Sequence, residues 1–208
     1  MNIESKILYI KQSLDKLKAL DKGYRVFGAD SHRYLLNEVA KEEKIKVFEN
    51  KYGIQLPEEY RRFLIEVGNG GAGPYYGLQT LEDSLFIDLD YKREDEYLNP
   101  SEPFLFIEKW NMKFAGDYNN EQEYRAFEEE YFKPSWANGL LRICNFGCGV
   151  SLNLVVNGSE YGHIWADDRV NDGGIFPDPY FGKSGRTQFL DWYILWLNQS
   201  LDKIHKST

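Results

Sequence analysis

FENKYGIQLPEEYRRFLIEVGNGGAGPYYGL, residues 48–78, carries the signals from which the fold can be built outward. Gly53 stops a helix that begins near Val39 and runs to Lys51, because glycine takes the left-handed capping conformation without a Cβ penalty. Ile45, Phe48 and Tyr52 mark that helix's buried side. Pro57 suits the first position of the next helix, where a missing N–H costs nothing. Glu58 and Glu59 follow in the turn that attracts negative charge. Tyr60, Phe63, Leu64 and Val67 then fall at i, i+3, i+4 and i+7, one face of a helix that Gly68 closes. Residues 68–77, GNGGAGPYYG, have too little side chain for regular structure and read as a loop.

Upstream, Ile3, Ile7, Ile10, Leu14 and Leu17 form the stripe of an amphipathic helix, followed by a short extended piece and loop over 23–32. Downstream, Leu78–Leu89 reads as extended, 91–103 as a polar loop and Phe104–Ile107 as a short strand. Residues 121–132 read as an acidic helix with Tyr124, Phe127 and Tyr131 inward. Leu140–Cys144 and Val150–Val156 are β-rich runs. Asn157-Gly158 is the dipeptide a type I′ hairpin turn favours, which makes Tyr161–Trp165 the returning strand of an antiparallel meander. A loop over 167–185 leads to a closing helix with Phe189, Trp192, Tyr193, Trp196 and Leu197 on its inner side. The 208 residues suit one α+β domain.

No run approaches the roughly 18 apolar residues a membrane span needs. The first residues alternate charged and apolar side chains and lack a leader's cleavage site. Two cysteines, Cys144 and Cys148, in a chain too large to need staples point to reduced thiols and a cytoplasmic setting. Net charge is −8, which argues against nucleic acid or an anionic membrane as ligand. The excess is local: residues 82–130 hold 15 Asp/Glu against 5 Lys/Arg, and the rest holds 18 against 20. Such a segment is either a solvated face or a field that draws in a basic partner.

Motifs that would carry chemistry fail on context. Gly68–Gly73 satisfies G-x-G-x-x-G, but a helix precedes it and Pro74-Tyr75-Tyr76 follows, the reverse of a dinucleotide site. Cys144 and Cys148, spaced C-x3-C and taken as small buried thiols, lack the further ligands of a zinc site. Asp167-Asp168-Arg169-Val170-Asn171-Asp172 breaks the oxygen alternation of a calcium loop. There is no G-x-S-x-G and no Cys–His set. The sequence therefore predicts no catalytic residue, no metal and no cofactor.

Residues 48–64 running into 68–78 resemble the SUKH superfamily, known for bacterial immunity proteins against polymorphic toxins and for a fungal regulator of cell-wall synthesis. Gly28–Tyr34 upstream, and downstream Phe146–Gly149 with Asn157-Gly158, Gly162–Trp165, Asp172–Pro177 and Phe189–Tyr193, extend the likeness over about residues 27–197. The resemblance implies a mostly antiparallel sheet flanked by helices and a non-enzymatic protein that binds and neutralises a cognate toxin, often a nuclease. The alternative within the family is an interaction scaffold or regulator with no toxin. Nuclease toxins are basic because they grip phosphates, which suits an acidic segment. On this reading the chain is one domain over 1–208, with a helical extension over 1–26 and an acidic insertion over 108–138. Partner contact is expected from Glu121, Glu123, Glu128, Glu129 and Glu130 and from Asp167, Asp168 and Asp172. The motif loop (Asn69, Gly70, Gly71, Pro74, Tyr75, Tyr76) has a structural role, with glycines for positive φ and tyrosines packed on the sheet.

Overall fold

A computed structural model describes residues 1–178 and 186–206. Helices α1 (Ile3–Leu20), α2 (Ala29–His32), α3 (Glu42–Tyr52) and α4 (Glu58–Glu66) precede α5 (Glu121–Tyr131). Strands β1 (Leu140–Gly147), β2 (Val150–Val155), β3 (Ile164–Asp168) and β4 (Gly174–Pro177) follow, and α6 (Phe189–Lys206) closes the chain. The strands pair antiparallel in the order β1-β2-β3-β4, so the architecture is the α+β arrangement that the sequence predicts.

The helices form where the apolar spacing puts them. Asn2 caps α1 by accepting from Ser5 N–H at 2.9 Å, and Ile7, Ile10, Leu14 and Leu17 are buried. Gly53 ends α3 at φ +63°, donating to Glu49 O. That helix starts at Glu42 and not Val39, which is half-exposed. Pro57 stands just before α4 as its cap residue, and Tyr60, Phe63, Leu64 and Val67 are all buried.

Five expectations need correction. Asn157-Gly158 is not a tight two-residue turn: β2 ends at Val155 and its antiparallel partner β3 begins at Ile164, so the dipeptide lies inside a longer hairpin loop. Instead Asn157 O accepts from Phe104 N–H at 2.9 Å and Asn157 Nδ2 donates to Ser101 O at 2.8 Å, so the dipeptide anchors the crossing segment. The tight turn lies between β1 and β2, where Cys148 and Gly149 take φ +52° and +75° and Gly147 pairs with Val150. Cys148 is therefore exposed, not a buried thiol. Leu78–Leu89 is not a strand: it bridges to the sheet at Leu78 and then forms a 3-10 turn at Asp83–Leu85. Phe104–Ile107 pairs at Phe104 only. The expected loop over 167–185 contains β4; its residues 179–185 lie outside the described residues.

Both faces of the sheet are covered, which is why every residue of β2 is buried. One face carries Leu141, Ile143, Leu152, Leu154 and Ile164 into a core with Ile10, Phe63, Leu64, Trp192 and Tyr193 from the helices. The other carries Leu140, Val155, Trp165 and Ile175 under Leu98, Phe104 and Ala137.

Glu59 ties three helices together. Its Oε1 meets Lys6 Nζ at 2.7 Å, its Oε2 accepts from Leu190 N–H at 2.9 Å in the first turn of α6, and Lys6 also reaches Asp191 at 2.9 Å. Lys6 and Glu59 are both nearly buried, so removing Glu59 leaves Lys6 with the half-exposed Asp191 alone and Leu190 N–H without its acceptor. Glu59→Ala is expected to cost about 2–3 kcal/mol in a urea titration followed by circular dichroism. An unchanged midpoint would show that the junction carries no weight.

Candidate functional site

Helix α5 starts on Asn120, whose side chain accepts from Glu123 N–H at 3.3 Å. Its inner side is aromatic. Tyr131 is buried, Phe127 stacks on it at 5.5 Å between centroids, and Tyr131 stacks in turn on Trp110 at 5.6 Å. That ladder fixes which side chains face out. Glu121, Glu123 and Glu129 are exposed, and Glu128 and Glu130 are half-buried. Glu130 pairs with Lys133. Glu121, Glu123, Glu128 and Glu129 form no ion pair among the described residues. Glu128 and Glu129 lie at the C-terminal end of α5, where the helix dipole disfavours acids, so the fold gains nothing from them.

The turn between β3 and β4 lies beside this helix. Arg169 Nη1 donates to Tyr131 O at 3.0 Å and Lys133 O at 3.1 Å, fastening the end of α5 to the sheet. Glu128, then burial and Asp172, push the Tyr124 hydroxyl pKa above its ordinary value, which places helix and turn within electrostatic reach of each other. Asp168 is half-buried and accepts from Asn171 at 2.7 Å; Asp172 is exposed at φ +56°.

Asp167 is a correction. It is 4% exposed and lies between Arg142 Nη2 at 3.0 Å and Arg169 Nη2 at 2.7 Å, so it cannot touch a partner. Burial would raise its pKa, but the two guanidiniums outweigh that and hold it down at about 2. Two acids that sequence reasoning passed over, Asp88 and Asp90, stand on the far side of a cavity from Asp167 and Arg169. Asp90 is held by Asn145 Nδ2 at 2.7 Å and Gly149 N–H at 3.2 Å. Their alternation in Asp88-Leu89-Asp90 was the available signal, hidden by reading the stretch as a strand.

The motif loop is tied down from all sides. Asn69 Oδ1 accepts from Leu81 N–H at 2.8 Å and its Nδ2 donates to Glu82 at 3.0 Å. Ala72 O accepts from the buried Tyr193 hydroxyl at 2.7 Å, and Pro74 O accepts from Cys144 Sγ at 3.1 Å. Gly71 sits at φ +97° between Leu36 and Leu78, and a Cβ there would lie 2.5 Å from Leu35 O. Gly70 has a positive φ as well. Tyr75 is buried against Phe146 of β1 at 4.3 Å, and Tyr76, 43% exposed, packs on Phe27 at 5.4 Å. These bonds and contacts commit many of the loop's polar groups and both tyrosine rings to the fold.

Among the described residues, no three His, Cys, Asp or Glu side chains lie close enough together to hold a metal ion. Cys144 is buried, and burial raises its thiol pKa well above the ordinary value, the opposite of an activated nucleophile. No described helix is long and apolar enough to cross a membrane. The sequence model of the SMI1 / KNR4 family (SUKH-1) matches residues 39–179, from α3 through β4. Comparison with curated proteins and with solved structures gave no match.

Proposed function

The chain belongs to the SMI1 / KNR4 family (SUKH-1), and from that premise we propose that it is a non-enzymatic immunity protein that binds and neutralises a cognate toxin with a basic surface, such as a nuclease, in the cytoplasm. The observation that carries this reading is the unpaired outer face of α5. Glu121, Glu123, Glu128 and Glu129 form no ion pair among the described residues, and Asp168 and Asp172 extend the same field from the neighbouring turn. Unpaired acids repel one another in the free protein and gain their counter-ions when a basic surface docks. Residues 108–138 act as the insertion that sets partner specificity. Aromatic stacking orders them from within, Trp110 pairing with Ile175 and Arg169 bonding to Tyr131 O and Lys133 O fasten them to the sheet, and the other side of the helix is left free for recognition.

The test is binding to the purified toxin encoded beside this protein. Reversing Glu121, Glu128 and Glu129 to lysine should weaken the complex by about 100-fold at low salt, mostly through slower association, while the circular-dichroism melt stays unchanged. Wild-type binding should fall as salt rises. Binding that ignores both the reversal and the salt would remove α5 from the interface. A folded protein that protects against no toxin would instead be the regulator of the same family, and turnover of a substrate by the isolated chain would end the non-enzymatic reading.

A further inference from the structure

The cavity of about 190 Å3 beside the acidic surface has no part in toxin binding as argued above. Its floor is formed by Arg142 and Arg169, each 5% exposed, which share the one carboxylate of Asp167. Among the described residues one positive charge is thus left without a counter-ion of its own in a buried setting, and Arg142 Nε has no acceptor. Such a charge is costly unless something else answers it. Across the cavity stands Asp88. Its Oδ1 accepts from Asp90 N–H at 2.7 Å and Tyr91 N–H at 3.0 Å, while its Oδ2 accepts nothing among the described residues. Burial lowers the Arg142 pKa despite the neighbouring Asp167, and Asp88 opposes that shift only through space: both line the cavity, but the two form no ion pair. Ile87, Leu89, Phe132, Val150 and Val170 supply apolar wall, beside Asn145, Gly149 and Ser151.

We infer that this cavity binds a small zwitterion of the α-amino acid class, its carboxylate toward the Arg142–Arg169 floor, its ammonium at Asp88, and an aliphatic side chain against Phe132 and Val170. The layering of charge selects that class. A simple anion has to pass Asp88 and Asp90 at the mouth, and a cation pushed inward, such as a partner's lysine, meets two guanidiniums. A molecule carrying both charges a few ångströms apart satisfies both ends with charge-assisted hydrogen bonds.

The test uses the isolated, 15N-labelled protein, so it stands or falls apart from toxin binding. The twenty L-amino acids are titrated singly to about 20 mM, with the amides of Gly149, Val150 and Val170 as reporters. An aliphatic amino acid such as valine should shift them saturably. Isobutylamine and isovalerate, which keep one charge each, should bind at least about tenfold more weakly. Asp88→Asn preserves the acceptor for Asp90 and Tyr91, and should weaken valine by about tenfold without weakening isovalerate. No saturable shift from any amino acid, or an analogue with one charge binding as tightly as valine, would overturn the inference.

Discussion

Asp167→Ala should lower stability by about 3–5 kcal/mol, enough to leave much of the protein unfolded at ordinary temperature. The loss is not that of one hydrogen bond. Arg142 and Arg169 would both remain buried with no carboxylate between them, and an uncompensated charge in a low-dielectric site costs far more than a missing neutral contact. Arg169 would then relax toward water and release Tyr131 O and Lys133 O, so the end of α5 should loosen as well. Asp167→Asn keeps the shape and removes the charge, and should recover little of the loss. The pH dependence follows from the same geometry. With a folded pKa of about 2 against an ordinary 3.8, the carboxylate's contribution is fully present above about pH 4. It disappears as the pH falls through 2. Urea titrations at pH 7 and pH 3 should show the wild type losing stability on acidification, and the Asn variant, already destabilised, losing less. Equal stability of variant and wild type at pH 7 would show that the network contributes nothing.

Gly28→Ala should be nearly as damaging, for a steric reason. Gly28 sits at φ +76°, just before α2, and a Cβ there would lie 1.8 Å from Tyr75 O. The obstacle is backbone, so no rotamer change relieves it, and the left-handed conformation adds its own penalty for any L side chain. The start of α2 and the motif loop would have to separate, pulling Phe27 off Tyr75 and Tyr76. A loss of about 3 kcal/mol, or about 10 °C in Tm for a chain of this size, is expected by calorimetry. A variant melting with the wild type would mean that the two segments tolerate a shift that their packing does not suggest.

Helices α1, α4 and α6 were legible because each buries a stripe with helical period, and glycine or proline marks two of their ends. β1 and β2 were legible as dense runs of β-branched and aliphatic residues. Both strand connections were legible, but which of them is tight was not: Asn157-Gly158 and Gly147-Cys148-Gly149 both offer positive φ, and only the pairing of Gly147 with Val150 decides between them. β4 was invisible: Gly174–Pro177 is four residues following an acidic turn, and its partner β3 supplies the order. Asp167 was misread for a related reason. Nothing in a run of acids says which one points inward, and its counter-ion Arg142 lies on another strand, brought close by register alone. Asp88 and Asp90 were overlooked because their meaning depends on a cavity formed by four separate segments.

The aromatic ladder under α5 separates two tasks on a single helix. Phe127 and Tyr131 commit its inner side to Trp110, which itself pairs with Ile175 of β4, while positions 121, 125 and 129 answer to solvent and to whatever docks there. Substitutions on the outer side can therefore accumulate without a folding penalty. Randomising them in this scaffold is a direct route to a protein that keeps its shape and recognises a different target.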